Sequence, residues 1–284
     1  MQVLSTKSEF HQHLEAVRAL GRSVGLVPTM GALHEGHLSL LRAAGDDCDV
    51  VALTIFVNPL QFGAGEDLSK YPRPLERDLE LAEAAGADVV FTPTTEEMYP
   101  EPTITTVHVA QLTAGMEGAS RPTHFDGVTT VVTKLFNISG PCRAYFGEKD
   151  FQQLAVVRRM AADLDQPVTV IGCPIVREVD GLAMSSRNSY LSPSEREAAT
   201  VINRALRAGA AMIAAGESDS SLIEAHMGSI IDAEPLAELD YAVVVDPDSL
   251  VTPSKLKSGT SVRLLLVAKI GSPRLLDNLG VDIP

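Results

Sequence analysis

Val24-Gly25-Leu26-Val27-Pro28-Thr29-Met30-Gly31-Ala32-Leu33-His34-Glu35-Gly36-His37 passes from an apolar run, through a glycine-bearing turn, into the start of a helix. Val24–Val27 reads as a buried strand, and Leu38–Ala44 as a helix stopped by Gly45. Val50–Val57 is a second, strongly apolar strand. The alternation continues outward from there. A helix at Leu75–Ala85 precedes a strand at Asp88–Phe91, and a helix at Gly127–Ile138 precedes a strand at Arg143–Phe146. A helix at Phe151–Leu164 then leads into Val168–Ile171. Buried strands alternating with amphipathic helices predict a parallel sheet with helices on both faces.

The pattern changes after Val176. Ser192-Pro193-Ser194-Glu195 carries a serine cap, an early proline and a glutamate three residues on, which together start a helix. That helix is expected to run to about Ala215, with a second over Ser220–Ile231. Tyr241–Val245 and Val262–Ala268 read as strands. The predicted fold is therefore α/β: a Rossmann-like, doubly wound parallel sheet over residues 1–176, and a smaller C-terminal α+β domain over 177–284.

Composition narrows the function. The chain has 284 residues, 45% hydrophobic and 21% charged, which is ordinary for a globular enzyme. Its formal net charge of −14 argues against a nucleic-acid partner, because phosphate neutralisation needs a surplus of Lys and Arg. The three cysteines form no CxxC pair, so neither a disulfide framework nor a zinc site is expected. With no signal-like N-terminal segment and no apolar run of about 18 residues, a cytoplasmic protein off the membrane is expected.

Four segments carry polar groups suited to chemistry. In the first, Gly31 and Gly36 allow close backbone approach, and a helix start offers N–H groups to an anion. His34 and His37 share one helix face there. The second, Gly147-Glu148-Lys149-Asp150, also joins a strand end to a helix start; taken alone it reads more readily as an ordinary capped helix. The third, Met184-Ser185-Ser186-Arg187-Asn188, offers hydroxyls and a guanidinium on a loop, or is simply a polar linker. The fourth, Asn58-Pro59-Leu60-Gln61-Phe62, puts a donor and acceptor at a strand end, or forms a plain turn. Asp78, on a helix, is a candidate for helping to hold Mg²⁺. His11, His13 and His226 read as structural, His108 shows no partner, and His124 lies in a loop without an evident role.

The H-x-G-H pattern after a strand resembles that of nucleotidylyl transferases and class I aminoacyl-tRNA synthetases. Pro28–His37, Asn58–Phe62, Tyr71-Pro72-Arg73, Arg121–Gly127, Phe146–Gln153 and Met184–Asn188, in that order, resemble the pantothenate synthetase family. The resemblance implies ATP-dependent condensation of pantoate with β-alanine through a pantoyl adenylate, with Mg²⁺ and a homodimer. It implies that Met30, Gly31, Ala32, Leu33, His34, Glu35, Gly36 and His37 line the ATP site, with His37 the proton donor. Gly147, Glu148, Lys149, Asp150, Val176, Met184, Ser185, Ser186 and Arg187 would also contact ATP, the last three and Lys149 at its phosphates. Gln61 and Gln153 would hold pantoate, Gln61 also lying near β-alanine, and the C-terminal domain would serve as a lid. Arg77 stands where members often carry a second acid, which weakens the case for a metal at Asp78. Another nucleotidylyl transferase, or a nucleotide-sensing module, would share His34 and His37 without needing Gln61 and Gln153.

Overall fold

The computed structural model describes residues 1–284. The first elements are β1 (Gln2–Leu4), α1 (Lys7–Ala19), β2 (Val24–Thr29), α2 (Glu35–Asp47), β3 (Val50–Ile55), α3 (Leu75–Ala84) and β4 (Val89–Phe91). Two single-turn helices, α4 (Thr95–Met98) and α5 (Glu117–Ser120), precede α6 (His124–Ser139) and β5 (Cys142–Gly147). The chain continues through α7 (Phe151–Asp163) and β6 (Val168–Cys173). Then follow α8 (Pro193–Ala198), α9 (Val201–Ala214), α10 (Ser220–Asp232), β7 (Ala237–Val245), β8 (Ser261–Ile270) and β9 (Arg274–Asp282).

Strands β1 to β6 form one parallel sheet in the order β1-β4-β3-β2-β5-β6. Its central strands are apolar on both faces. Val24, Leu26, Val50, Ala52, Val89 and Phe91 pack with residues of α1, α6 and α7, while Val27, Val51, Leu53 and Val90 pack with α2 and α3. Alternate residues of a strand point to opposite faces, so a sheet covered on both sides needs continuous apolar runs. The chain winds outward from β2 through β3 to β4, then returns to place β5 on the other side of β2. That reversal opens a crevice beyond the carboxyl ends of β2 and β5, where open α/β sheets bind ligands.

The chain divides into two compact units, Met1–Glu148 with Gln152–Pro174, and Lys149–Phe151 with Ile175–Pro284. The second unit has its own core, built from α8, α9, α10 and the antiparallel sheet β7-β8-β9. No helix is long and apolar enough to cross a membrane.

Three local expectations are corrected. Helix α2 runs through Gly45 to Asp47, because Leu40, Leu41 and Ala44 stay anchored on the sheet and outweigh the helix penalty of one glycine, about 1 kcal/mol. The alanine-rich helix is two helices. At Ala199 and Thr200 the backbone tightens to i−3 bonding (Thr200 N–H to Glu197 O, Ile202 N–H to Ala199 O), and the Thr200 hydroxyl donates to the same Glu197 carbonyl. The C-terminal sheet has a third strand, β9, whose Asp277, Asn278 and Gly280 interrupt the apolar pattern that reveals a strand.

Candidate active site

The turn after β2 is an unusual piece of backbone. The Thr29 hydroxyl donates to the Thr54 carbonyl at 2.8 Å and accepts the Gly31 N–H at 3.2 Å. Gly31 then takes φ +81° and Ala32 φ +50°. A Cβ at position 31 would lie 2.8 Å from the Asp78 carboxylate, so glycine is required both for the dihedral and for the approach. Ala32 holds a left-handed conformation that costs an L-residue about 1 kcal/mol or more.

Asp78 supports that conformation. It lies on α3, is 1% exposed, and accepts the Ala32 N–H at Oδ2 and the Leu33 N–H at Oδ1, each at 2.8 Å. The carboxylate expected to help hold Mg²⁺ is thus engaged by two backbone amides. No group of three or more His, Cys, Asp or Glu side chains gathers anywhere in a way that could hold a metal ion. The residues present do not fit a protein-ligated metal.

His34 is the N-cap of α2, with extended backbone and its Nδ1 accepting the Gly36 N–H at 3.2 Å. His37 Nδ1 accepts the His34 N–H at 3.4 Å, closing a reciprocal cap built from two imidazoles. The rings lie 4.1 Å apart between centroids. An Nδ1 that accepts an N–H carries no proton, so each neutral ring is the Nε2–H tautomer. Glu35 beside them pairs with Arg42 across the helix surface.

The turn after β3 is fixed by Asn58, which is fully buried. Its Oδ1 accepts from the Tyr99 hydroxyl at 2.8 Å and the Leu60 N–H at 3.3 Å. Burial pushes the Tyr99 phenol well above its ordinary range, keeping that donor protonated. Asn58 Nδ2 donates to Gln61 Oε1 at 3.1 Å and to the Gly127 carbonyl at 3.0 Å. Gln61 Nε2 donates in turn to Met30 Sδ at 3.2 Å, joining the two strand-end turns. Helix α6 approaches so closely that a Cβ on Gly127 would fall 2.5 Å from Gln61 Cα.

His124 and Arg121 complete this cluster. His124 Nδ1 lies 3.0 Å from the Gln61 carbonyl oxygen, which can only accept, so Nδ1 carries the proton. Burial, aided by the Arg121 charge, lowers the His124 pKa to about 4, against the upward pull of the Gln61 bond and of Glu117 and Glu66. Arg121 donates to both Glu66 oxygens, at 2.9 and 2.6 Å, and holds that carboxyl below its usual range. His108, which showed no partner in the sequence, bonds Asp126 at 2.7 Å, and His11 bonds the Ile138 carbonyl at 2.9 Å.

Gly147 closes β5, whose Arg143 and Ala144 pair with Gly25 and Leu26 of β2, and Glu148 follows it. On α7, Gln152 is consumed structurally. Its Oε1 accepts the Glu117 N–H, and its Nε2 donates to the Leu112 and Gly115 carbonyls. The half-buried Gln153 is the glutamine of that helix left for a ligand role.

The remaining candidates belong to the second unit. Met184 N–H donates to the Val176 carbonyl at 3.0 Å, so these two are paired backbone partners. The Ser185 hydroxyl caps the 3₁₀ turn Ser186–Tyr190 by accepting the Arg187 N–H at 3.3 Å. Lys149 Nζ sits 3.5 Å from Asp150 Oδ1. The Lys149 carbonyl accepts from Asn278 Nδ2 at 2.7 Å, and Asn278 Oδ1 accepts from Arg263 Nε at 2.7 Å. Arg263 also lies over the Phe151 ring, at 4.2 Å. Asn58, Arg121, His124 and Asn278 were not assigned roles from the sequence. Asn58, Arg121 and His124 at least lay in motifs of the family resemblance, while nothing in the sequence pointed to Asn278.

Comparison with known proteins places this arrangement. A family model described as pantoate-beta-alanine ligase matches residues 2–280. The chain is 56% identical over 263 residues to the pantothenate synthetase of Heliobacterium modesticaldum, covering 93% of each chain. It is 50% identical to that of Acetivibrio thermocellus over 283 residues, covering 100% of both. Among solved structures, the pantothenate synthetase of Thermus thermophilus superposes with a TM-score of 0.92 at 48% identity, covering 98% of this chain and 99% of that one. The Francisella tularensis pantoate-beta-alanine ligase, complexed with beta-gamma ATP and beta-alanine, gives 0.80 at 32% identity, covering 98% and 97%. The strand-end turn with its paired imidazoles therefore sits in a fold and a sequence shared along the whole chain, and the protein belongs to the pantoate–β-alanine ligase family.

Proposed function

We propose that the turn Met30–His37 holds the phosphates of ATP while Gln61 and Gln153 hold pantoate, within a nucleotide- and pantoate-binding domain of residues 1–176. The reaction is the ATP-dependent condensation of (R)-pantoate with β-alanine to pantothenate. A pantoate carboxylate oxygen attacks the α-phosphorus, the bond to the bridging oxygen breaks, and pyrophosphate leaves with that electron pair. The β-alanine nitrogen then attacks the acyl carbon of pantoyl adenylate, AMP leaves, and the nitrogen sheds a proton.

The observation that supports this most is the reciprocal imidazole cap. Both Nδ1 atoms accept backbone N–H groups, so both Nε2 atoms carry protons. Such donors stabilise negative charge building on a phosphate, and they need no reorganisation when fixed beforehand. Asn58 and Met30 hold the Gln61 amide in one orientation, which suits a substrate bearing both hydroxyl and carboxylate. Ser185, Ser186 and Arg187, in the smaller domain of residues 177–284, are assigned to phosphate, as is Lys149 of the larger domain, with Val176 and Met184 at the nucleotide.

Mg²⁺ would arrive with ATP, bound by phosphate oxygens and water, the usual preference of this ion. The protein is proposed to be a cytoplasmic homodimer. The reading is tested by AMP release with pantoate, β-alanine and Mg-ATP, omitting each in turn. AMP formed equally well without pantoate would overturn it.

A further inference from the structure

We infer that Asp78 is a positioning residue for adenylylation, its carboxylate fixing the backbone that carries both imidazoles, and is not a metal ligand. The inference rests on the reading that His34 and His37 act on the α-phosphate.

Its basis is a chain of contacts reaching from α3 to the two rings. The two carboxylate oxygens of Asp78 each accept one amide, Ala32 N–H and Leu33 N–H, at 2.8 Å. Charge-assisted bonds of this kind are the strong ones. They hold Ala32 at φ +50°, a conformation it would otherwise leave. The next residue after Leu33, His34, caps α2 and gives its own N–H to His37 Nδ1. Moving the clamp therefore moves both rings. Displacement of a reacting group by about 1 Å can cost about 10² in rate.

Three observations oppose metal ligation here. Asp78 is 1% exposed, whereas Mg²⁺ gives up its water shell reluctantly and keeps several waters in most sites. The preceding residue is the cation Arg77, and no group of three or more His, Cys, Asp or Glu side chains forms a ligand set. Gly31 leaves room for the carboxylate to reach the backbone, since a Cβ there would meet Asp78 Oδ2 at 2.8 Å.

The test is pantoate-dependent pyrophosphate exchange by Asp78→Asn across a Mg²⁺ titration. Asparagine keeps the shape but turns one acceptor into a donor facing an N–H. The expected result is a kcat lower by about 10- to 100-fold, with KM for ATP and pantoate changed little and the Mg²⁺ concentration for half-activation unchanged. Near-normal kcat, or recovery of kcat with excess Mg²⁺ or Mn²⁺, would overturn the inference. Should Asp78→Asn fail to fold, Gly31→Ala forces the clamp apart from the other side and predicts the same kcat-dominated loss. A Gly31→Ala enzyme of normal kcat would count equally against the clamp. Amide exchange on the wild-type protein gives an independent reading, with Ala32 and Leu33 expected to be protected; fast exchange at both would refute the clamp. An inactive wild type in the exchange assay would instead sink the functional reading and leave the clamp to the amide measurement.

Discussion

His124 donates its Nδ1 proton to the carbonyl oxygen of Gln61 across 3.0 Å, from a site only 9% exposed. Burial there holds the ring neutral down to about pH 4, while an unfolded chain would protonate it near pH 6.5. Between those values the unfolded state binds the extra proton, so stability rises with pH. The contribution is fully present above about pH 6.5 and is lost progressively as pH falls toward 4, on the order of 3 kcal/mol in all. His124→Asn keeps a donor near the Nδ1 position without a titrating group. Urea unfolding at several pH values between about 4 and 6.5 is expected to show a shallower pH slope in His124→Asn than in the wild type. Equal slopes would mean that His124 is not the group responsible.

The tautomer of His37 makes a distinction between two amide replacements. Its Nδ1 is occupied by the His34 N–H, which leaves Nε2 as the atom that carries the proton. Glutamine places an amide nitrogen near Nε2, and asparagine places one near Nδ1. His37→Ala is expected to lower kcat by about 10² or more while the fold is kept, the usual cost of one lost charge-stabilising donor. His37→Gln should retain more activity than His37→Asn. The reverse order in steady-state kinetics would show that Nδ1 is the working atom.

Gln61 is oriented by Asn58 and Met30, so its truncation removes a placed amide and not a mobile one. Gln61→Ala is expected to raise the KM for pantoate by about 10-fold or more, in line with a lost hydrogen bond to a charged ligand. The KM for ATP should move much less. Equal increases for both substrates would remove Gln61 from the pantoate site.

The sheet and the strand-end turns were legible because their physics is local. Continuous apolar runs such as Val50–Ile55 require burial on both faces, and Gly31 marks a backbone turn before a helix. What escaped was non-local. Asp78 reads as a solvated helix acid until Leu33, 45 residues earlier, is seen donating to it. His124 and Gln61 are 63 residues apart, and the imidazole answers a backbone carbonyl, a partner present at every position and therefore without a sequence signal. Strand β9 was hidden because its central Asp277 and Asn278 are buried for hydrogen bonding. Asp277 receives Arg177 at 2.5 and 2.9 Å, and Asn278 grips Lys149.

That grip leads to a prediction for the C-terminal sheet. Asn278 is 1% exposed, takes Arg263 Nε on its oxygen, and gives its amide to the Lys149 carbonyl at 2.7 Å. The bond fixes the backbone from which Lys149, the lysine proposed to meet phosphate, projects. Asn278→Ala frees that backbone and leaves a carbonyl without its partner. Asn278→Asp sets a carboxylate oxygen against the carbonyl, so it should be no better than alanine. Each variant is expected to lower kcat/KM for ATP by about 10-fold or more, as misplacement of a charged group typically does. A loss of stability alone could mimic this, so the decisive measurement is a double-mutant cycle. If Asn278 acts through Lys149, adding Asn278→Ala to Lys149→Ala should change the rate little, giving a large interaction energy. Fully additive losses would show that the asparagine serves the sheet and not the lysine.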